Sequence, residues 1–168
     1  MSDPTDADRE PRSAMPSPLR RVVTGLGQDG LAGVRSDDLL TPEAIPSMDG
    51  ALAGTVWVTA GLPTNDNNLE EIRTAEGIVT PGGTNCRFTD LAPGASTPMH
   101  KTDSVDYNIL IQGKVIHITE DGVEKLLTNP GDTVIQRGTM HAWKNPGEEW
   151  ARWVSVIIDA VPVSAKPQ

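Results

Sequence analysis

PGASTPMHKTDSVDYNILIQG, residues 93–113, and PGDTVIQRGTMHAWKN, residues 130–145, are the two stretches on which the fold turns. Each opens on a Pro-Gly pair and carries one histidine, His100 or His141, in polar surroundings. Residues two apart on an extended chain share a face, so His100 and Thr102 point one way while Lys101 points the other. His141 and Trp143 share a face for the same reason. One face of every strand of a closed barrel looks inward. Two histidines from different strands can therefore converge there, with Asp106 as a nearby carboxylate.

Strand signals surround these stretches. Arg20 to Thr24, Thr55 to Thr59, Thr84 to Leu91, Tyr107 to Ile111, Lys114 to Thr119, Glu124 to Thr128, Thr133 to Arg137 and Trp150 to Ala160 are rich in Val, Ile and Thr. Gly, Pro, Asn or Asp bound each of them, as expected of short strands in a sandwich or barrel. Glu120-Asp121-Gly122 and Thr128 to Asp132 read as turns. Helical signal is confined to residues 68–73 and to Thr41-Pro42-Glu43-Ala44-Ile45, where Thr41 would cap and Pro42 would open a single turn. The segment from Leu62 to Gly83 is too long for a bare connection, so it is either functional or draped over the barrel mouth. The chain reads as all-β and single-domain: a disordered tail over 1–18, a barrel over 19–162 with its core in 83–160, and a tail over 163–168.

Composition narrows the partners. The 168 residues carry a formal net charge of -9, and Lys and Arg cluster no further than Arg20-Arg21. Nucleic acid, which is held through phosphate neutralisation, is a poor partner for such a chain. No stretch approaches the ~20 apolar residues that span a bilayer, and no apolar signal core opens the chain. The single cysteine, Cys86, allows no internal disulfide, which fits a cytoplasmic location; it reads as a small buried core residue.

The first stretch resembles the first motif of the cupin family: Gly, five residues, His-x-His, three or four residues, Glu, six residues, Gly. Gly94, His100, Asp106 and Gly113 fall in register, with Thr102 in place of the second histidine and Asp106 in place of the glutamate. The second stretch resembles the second motif through Gly131, Gly138, His141 and Asn145, with Gln136 standing where proline is usual. The resemblance covers roughly residues 83–160 and implies a jelly-roll barrel that commonly pairs into a homodimer through its sheets. It also implies a site for one divalent metal (Fe, Mn, Ni or Zn) on His100, Asp106 and His141, two imidazoles and a carboxylate being a known facial ligand set. The alternative is a metal-free pocket in which His100 or His141 moves a proton and Asp106 orients the imidazole.

Further residues are candidates for binding a small-molecule substrate. Trp143 offers an aromatic wall beside His141, and Trp57 lies on an earlier strand that is a candidate pocket wall. Arg87 is a natural carboxylate anchor if it faces inward. Thr102 stands in a ligand's place, and Asn108 and Gln136 are amides set in apolar strands, where they need partners. His117 lies outside both motifs and reads as structural or surface-exposed. The stretches around His100 and His141 also resemble a small cupin subgroup from bacteria and fungi, several members of which lie beside natural-product pathways. That resemblance implies a tailoring enzyme working on a small oxygenated molecule by dehydration, decarboxylation, cyclisation or oxygenation, and the preferred reading is a lyase or isomerase built on His100, Asp106 and His141. An iron-dependent dioxygenase and a non-catalytic ligand-binding module are the alternatives.

Overall fold

A computed structural model describes residues 14–66 and 77–162 of the chain. Most of the expected N-terminal tail, the expected helical stretch over 68–73 and the C-terminal tail lie outside the described residues. Within them the chain is all-β: β1 (Leu19–Leu26), β2 (Ala32–Leu40), β3 (Glu43–Ala44), β4 (Ala51–Thr59), β5 (Thr84–Leu91), β6 (Ser104–Gln112), β7 (Val115–Thr119), β8 (Glu124–Leu127), β9 (Thr133–Gln136), β10 (His141–Lys144) and β11 (Ala151–Asp159). No helix among the described residues is long and apolar enough to cross a membrane.

All pairings are antiparallel. They build a two-stranded ribbon β1-β2, a three-stranded sheet β10-β7-β8 and a six-stranded sheet β3-β4-β5-β11-β6-β9. The core lies between the two larger sheets. Ala51, Leu91, Leu110 and Trp153 come from the larger sheet, and Val115, Leu127 and Trp143 from the smaller. Trp143 stacks on Trp153 with ring centroids 5.3 Å apart, which ties the two layers together at their centre. Such a pair adds roughly 0.5–1.5 kcal/mol beyond its buried area.

The expected turns form for the expected reasons. Gly122 has a φ of 81° and donates its N–H to the Thr119 carbonyl, while the Asp121 carboxylate accepts from the Thr119 hydroxyl and the Val123 N–H. Gly131 has a φ of 96°, and the Asp132 carboxylate gathers the N–H groups of Thr128 and Asn129.

Thr41 to Ile45 is not a helical turn. Glu43–Ala44 instead pairs with Leu52 and Ala53 of β4. Ile45 and the Ala51 carbonyl then close the Met48–Gly50 corner. A free sheet edge offers this short segment backbone partners that an isolated helical turn lacks, and pairing outweighs a weak capping signal.

The outer face of the large sheet holds a buried ion pair. Arg152 on β11 donates Nε and Nη2 to the two oxygens of Asp90 on β5 at 2.6 and 2.7 Å. Its guanidinium lies 4.9 Å from the Phe88 ring centroid, and Nη1 donates to the Ser17 carbonyl. Trp153, on the opposite face of the same strand, is free to enter the core.

Candidate functional site

Strand register decides which side chains meet. Across β5, β11 and β6, Arg87 pairs with Ser155 and Ser155 with Asn108, so the three form one row facing one side. The next row on the same face is Asn85, Ile157 and Asp106. On the other layer β10 presents His141 and Trp143. The segment before β6 runs antiparallel to β10, with Thr97 N–H donating to the Trp143 carbonyl and His100 and His141 exchanging backbone hydrogen bonds at 2.8 and 2.9 Å. Asn145, fully buried, anchors this arrangement by donating its amide to the carbonyls of Leu91 and Glu149. The convergence of the two motifs is thus a matter of backbone pairing.

A cavity partly open to solvent offers about 140 Å³. Its walls include Arg87, Thr102, Asn108 and Ser155, the chemistry-bearing His100, Asp106 and His141, the two stacked tryptophans, and Ile78 from the long middle segment. Seven of the residues singled out from the sequence therefore line one cavity.

Hydrogen bonding settles the imidazole tautomers. His100 Nδ1 lies 2.9 Å from the Pro98 carbonyl and His141 Nδ1 lies 2.9 Å from the Thr139 carbonyl. A carbonyl only accepts, so each Nδ1 carries the hydrogen and each neutral ring keeps its lone pair on Nε2. The rings sit 4.3 Å apart at 50°. Burial pushes the His141 pKa down to about 4, helped by the neighbouring His100 and His117 and opposed by the Thr139 carbonyl. His141 is neutral at physiological pH. Asp106 moves the other way: burial raises its carboxyl above the usual range, with Ser104 and His100 opposing. Its Oδ1 is buried and has no hydrogen-bond partner.

Two residues join the site unforeseen by motif. His117 is buried, and it stacks on His141 at 5.7 Å and meets Trp143 edge-on at 4.7 Å. Its Nε2 donates to Gln136 Oε1 at 2.6 Å, because the Gln136 amide nitrogen is already donating to Thr139 Oγ1 and the Thr139 carbonyl. That carbonyl is the one holding His141. His117 is therefore structural, as one of its two readings had it, and not exposed. Ser155 donates to Asn108 Oδ1 at 2.6 Å. The only sequence signal for either was a polar residue in an apolar strand; their partners depend on pairings invisible in one chain.

Trp57 and Gln136 are not cavity walls. A bulge in β4 between Thr55 and Trp57 sets Thr55 opposite Arg87 but Trp57 opposite Cys86. Arg87 faces the cavity, so Cys86 and Trp57 face away; one extra residue inverts the face. Cys86 is half-buried there, not a core residue, and burial raises its thiol pKa. Gln136 lies behind His117, bonded to the Arg137–Thr139 turn.

The bare Nε2 atoms of His100 and His141 are the right chemistry for metal ligation, with backbone carbonyls as supporting partners. A facial set needs a third donor converging on the same point. Among the described residues no group of three or more His, Cys, Asp or Glu is placed to hold a metal ion. The expected set of His100, Asp106 and His141 does not meet that requirement in this geometry.

A cupin-domain family model matches residues 87–157. Phomopsin biosynthesis cluster protein D of Diaporthe leptostromiformis is 37% identical over 156 residues, covering 85% of this chain and 79% of that one. The cupin-domain-containing oxidoreductase virC of Hypocrea virens is 30% identical over 162 residues, covering 90% and 83%. Among solved structures, the polyketide cyclase RemF from Streptomyces resistomycificus superposes with a TM-score of 0.50 at 17% identity, covering 70% of this chain and 72% of that one, a likeness of fold.

Proposed function

The chain belongs to the cupin family, and from the chemistry of its cavity we propose a lyase or isomerase that dehydrates, decarboxylates or cyclises an oxygenated small molecule. The observation that carries this reading is the opposite displacement of two neighbouring groups: His141 held neutral and Asp106 held toward its protonated form. Environments that push two pKa values apart mark out a base and an acid. In dehydration or cyclisation His141 Nε2 takes a proton from carbon and the Asp106 carboxyl supplies one to the departing or newly formed alkoxide oxygen; in decarboxylation the Asp106 carboxyl protonates the carbon that carbon dioxide leaves. Fixed Nδ1–H···O=C bonds hold both imidazoles in the tautomer this requires, so no reorientation precedes transfer. His100 lies beside both groups and carries the proton between them. Stacked Trp143 and Trp153 give the substrate a flat apolar wall. Similarity to proteins of a biosynthesis cluster supports a natural-product substrate, and the cyclase name of RemF is consistent with the reaction class.

The test is conversion of intermediates that accumulate when the gene is deleted in its native host, with the purified protein in D2O. The reading predicts a product lighter by water, or of equal mass after ring closure, with no deuterium gained at carbon, or a product lighter by carbon dioxide that carries one deuterium at the carbon the carboxylate left. His141→Ala and Asp106→Asn should each abolish it. A second reading, an oxidoreductase, has a specific observation in its favour, the similarity to virC. Oxygen uptake or a product changed by two hydrogens or one oxygen would favour that reading over ours. Tight binding without turnover would reduce the protein to a ligand carrier.

A further inference from the structure

We propose that Arg87 and Asn108, set in one row by Ser155, form a carboxylate-binding subsite that fixes the substrate's orientation beneath His100 and His141. The inference rests on the cavity being a substrate site and adds the substrate's chemical class: a planar, unsaturated carboxylic acid.

Three features carry it. First, Arg87 faces the cavity and has no hydrogen bond or ion pair with any described residue. Burial is the one influence on its guanidinium, lowering its pKa, with no carboxylate raising it. A half-buried cation without a counter-ion, in a chain of net charge -9, awaits an anion from outside. The contrast with Arg152 on the same sheet is instructive, since that guanidinium is gripped by Asp90 at 2.6 and 2.7 Å. Second, Asn108 is 5% exposed and its Nδ2 has no partner. The Ser155 hydroxyl donates to Asn108 Oδ1, which fixes the amide so that Nδ2 is the group left to donate. Two unspent donors, one charged, therefore stand in adjacent register positions on either side of β11. Third, the internal acid does not compete: the forces on Asp106 come from burial, Ser104 and His100, and not from Arg87. A carboxylate accepting from Arg87 and Asn108 would lie with its flat body against Trp143 and Trp153. Its reacting carbon would then extend toward the bare Nε2 atoms.

The test is calorimetric or NMR titration of the intact protein with benzoate, and with benzamide as the neutral shape-match. Benzoate should bind at least about tenfold more tightly than benzamide, in line with a hydrogen bond to a charged group. Arg87→Gln should erase that preference, and Asn108→Leu should weaken benzoate about fivefold while keeping part of it. His141→Gln should leave benzoate affinity within about twofold, although it ends turnover, which separates this inference from the catalytic reading. Equal binding of benzoate and benzamide by the native protein, or no binding of benzoate, would overturn the subsite whatever the variants do. Retained turnover in Arg87→Gln would also overturn it while leaving the acid–base reading intact.

Discussion

His141 was legible in the sequence as a site residue, but its protonation was not. The pKa of about 4 arises mainly from burial, because the strand pairing of β10 with β7 seals the ring away from water, with the His100 and His117 rings adding smaller pushes in the same direction. The consequence for stability has a definite sign. The ordinary value is 6.5 and the folded value about 4, so the unfolded chain takes up the proton first. This contribution is complete above pH ~6.5 and falls by roughly 3 kcal/mol as pH drops toward 4. Denaturation at intervals between pH 7 and 4 should show the slope, and His141→Gln should flatten it; an unchanged slope contradicts the assignment. Asp106, whose carboxyl is raised by burial, acts in the opposite sense and costs stability at neutral pH. Asp106→Asn should therefore be more stable than the native chain at pH 7 while losing turnover. The Arg152–Asp90 pair, on the outer face, is a different case: removing Asp90 leaves a buried guanidinium without its carboxylate. Asp90→Ala should cost about 3–5 kcal/mol in urea denaturation, whereas breaking an exposed pair such as Arg20–Asp37 should cost far less.

At the scale of elements, alternation and turn chemistry were enough to find β5, β6 and the hairpin of β7 and β8, because Gly, Pro, Asn and Asp bound runs rich in Val, Ile and Thr there; the pairing of β6 with the distant β11 and β9 was not readable in the same way. They were not enough for β2, whose largely polar residues pass no periodicity test and which pairs with β1, or for β3, whose pairing comes from the sheet edge at β4. The bulge in β4 is the sharpest failure. Nothing in Gly54-Thr55-Val56-Trp57 announces an extra residue, yet it turns Trp57 away from the cavity. Gly113 shows a motif residue whose reason is mechanical. It closes the β6–β7 turn at a φ of 76°, and a Cβ there would stand 2.7 Å from the Trp150 carbonyl. Gly113→Ala should lose about 2 kcal/mol or more, with an unchanged denaturant slope, since both backbone strain and a main-chain clash oppose it.

For the whole molecule, the two motifs sufficed to foresee a jelly roll, since they specify the strands whose backbone pairing closes the site. The assembly was not readable in the same way. The ribbon β1-β2 is a sheet of its own, tied to β4 by the buried Arg21 donating to the Val56 carbonyl, and it leaves Val22, Val34 and Leu39 exposed. Two-stranded ribbons are marginal on their own, and we propose that a second copy of the chain covers this face. Sedimentation should give a dimer at micromolar concentration, and a Val22→Asp, Leu39→Asp double variant should give a monomer; a native monomer would refute it. The claim on which the rest depends is that His100 and His141 both tie Nδ1 to a backbone carbonyl and leave Nε2 for one cavity. Long-range 1H–15N correlation spectra of the intact protein at pH 7 read each ring nitrogen separately. The account predicts Nδ1–H tautomers for His100 and His141 and an Nε2–H tautomer for His117. A protonated or Nε2–H His141 at pH 7 would contradict it.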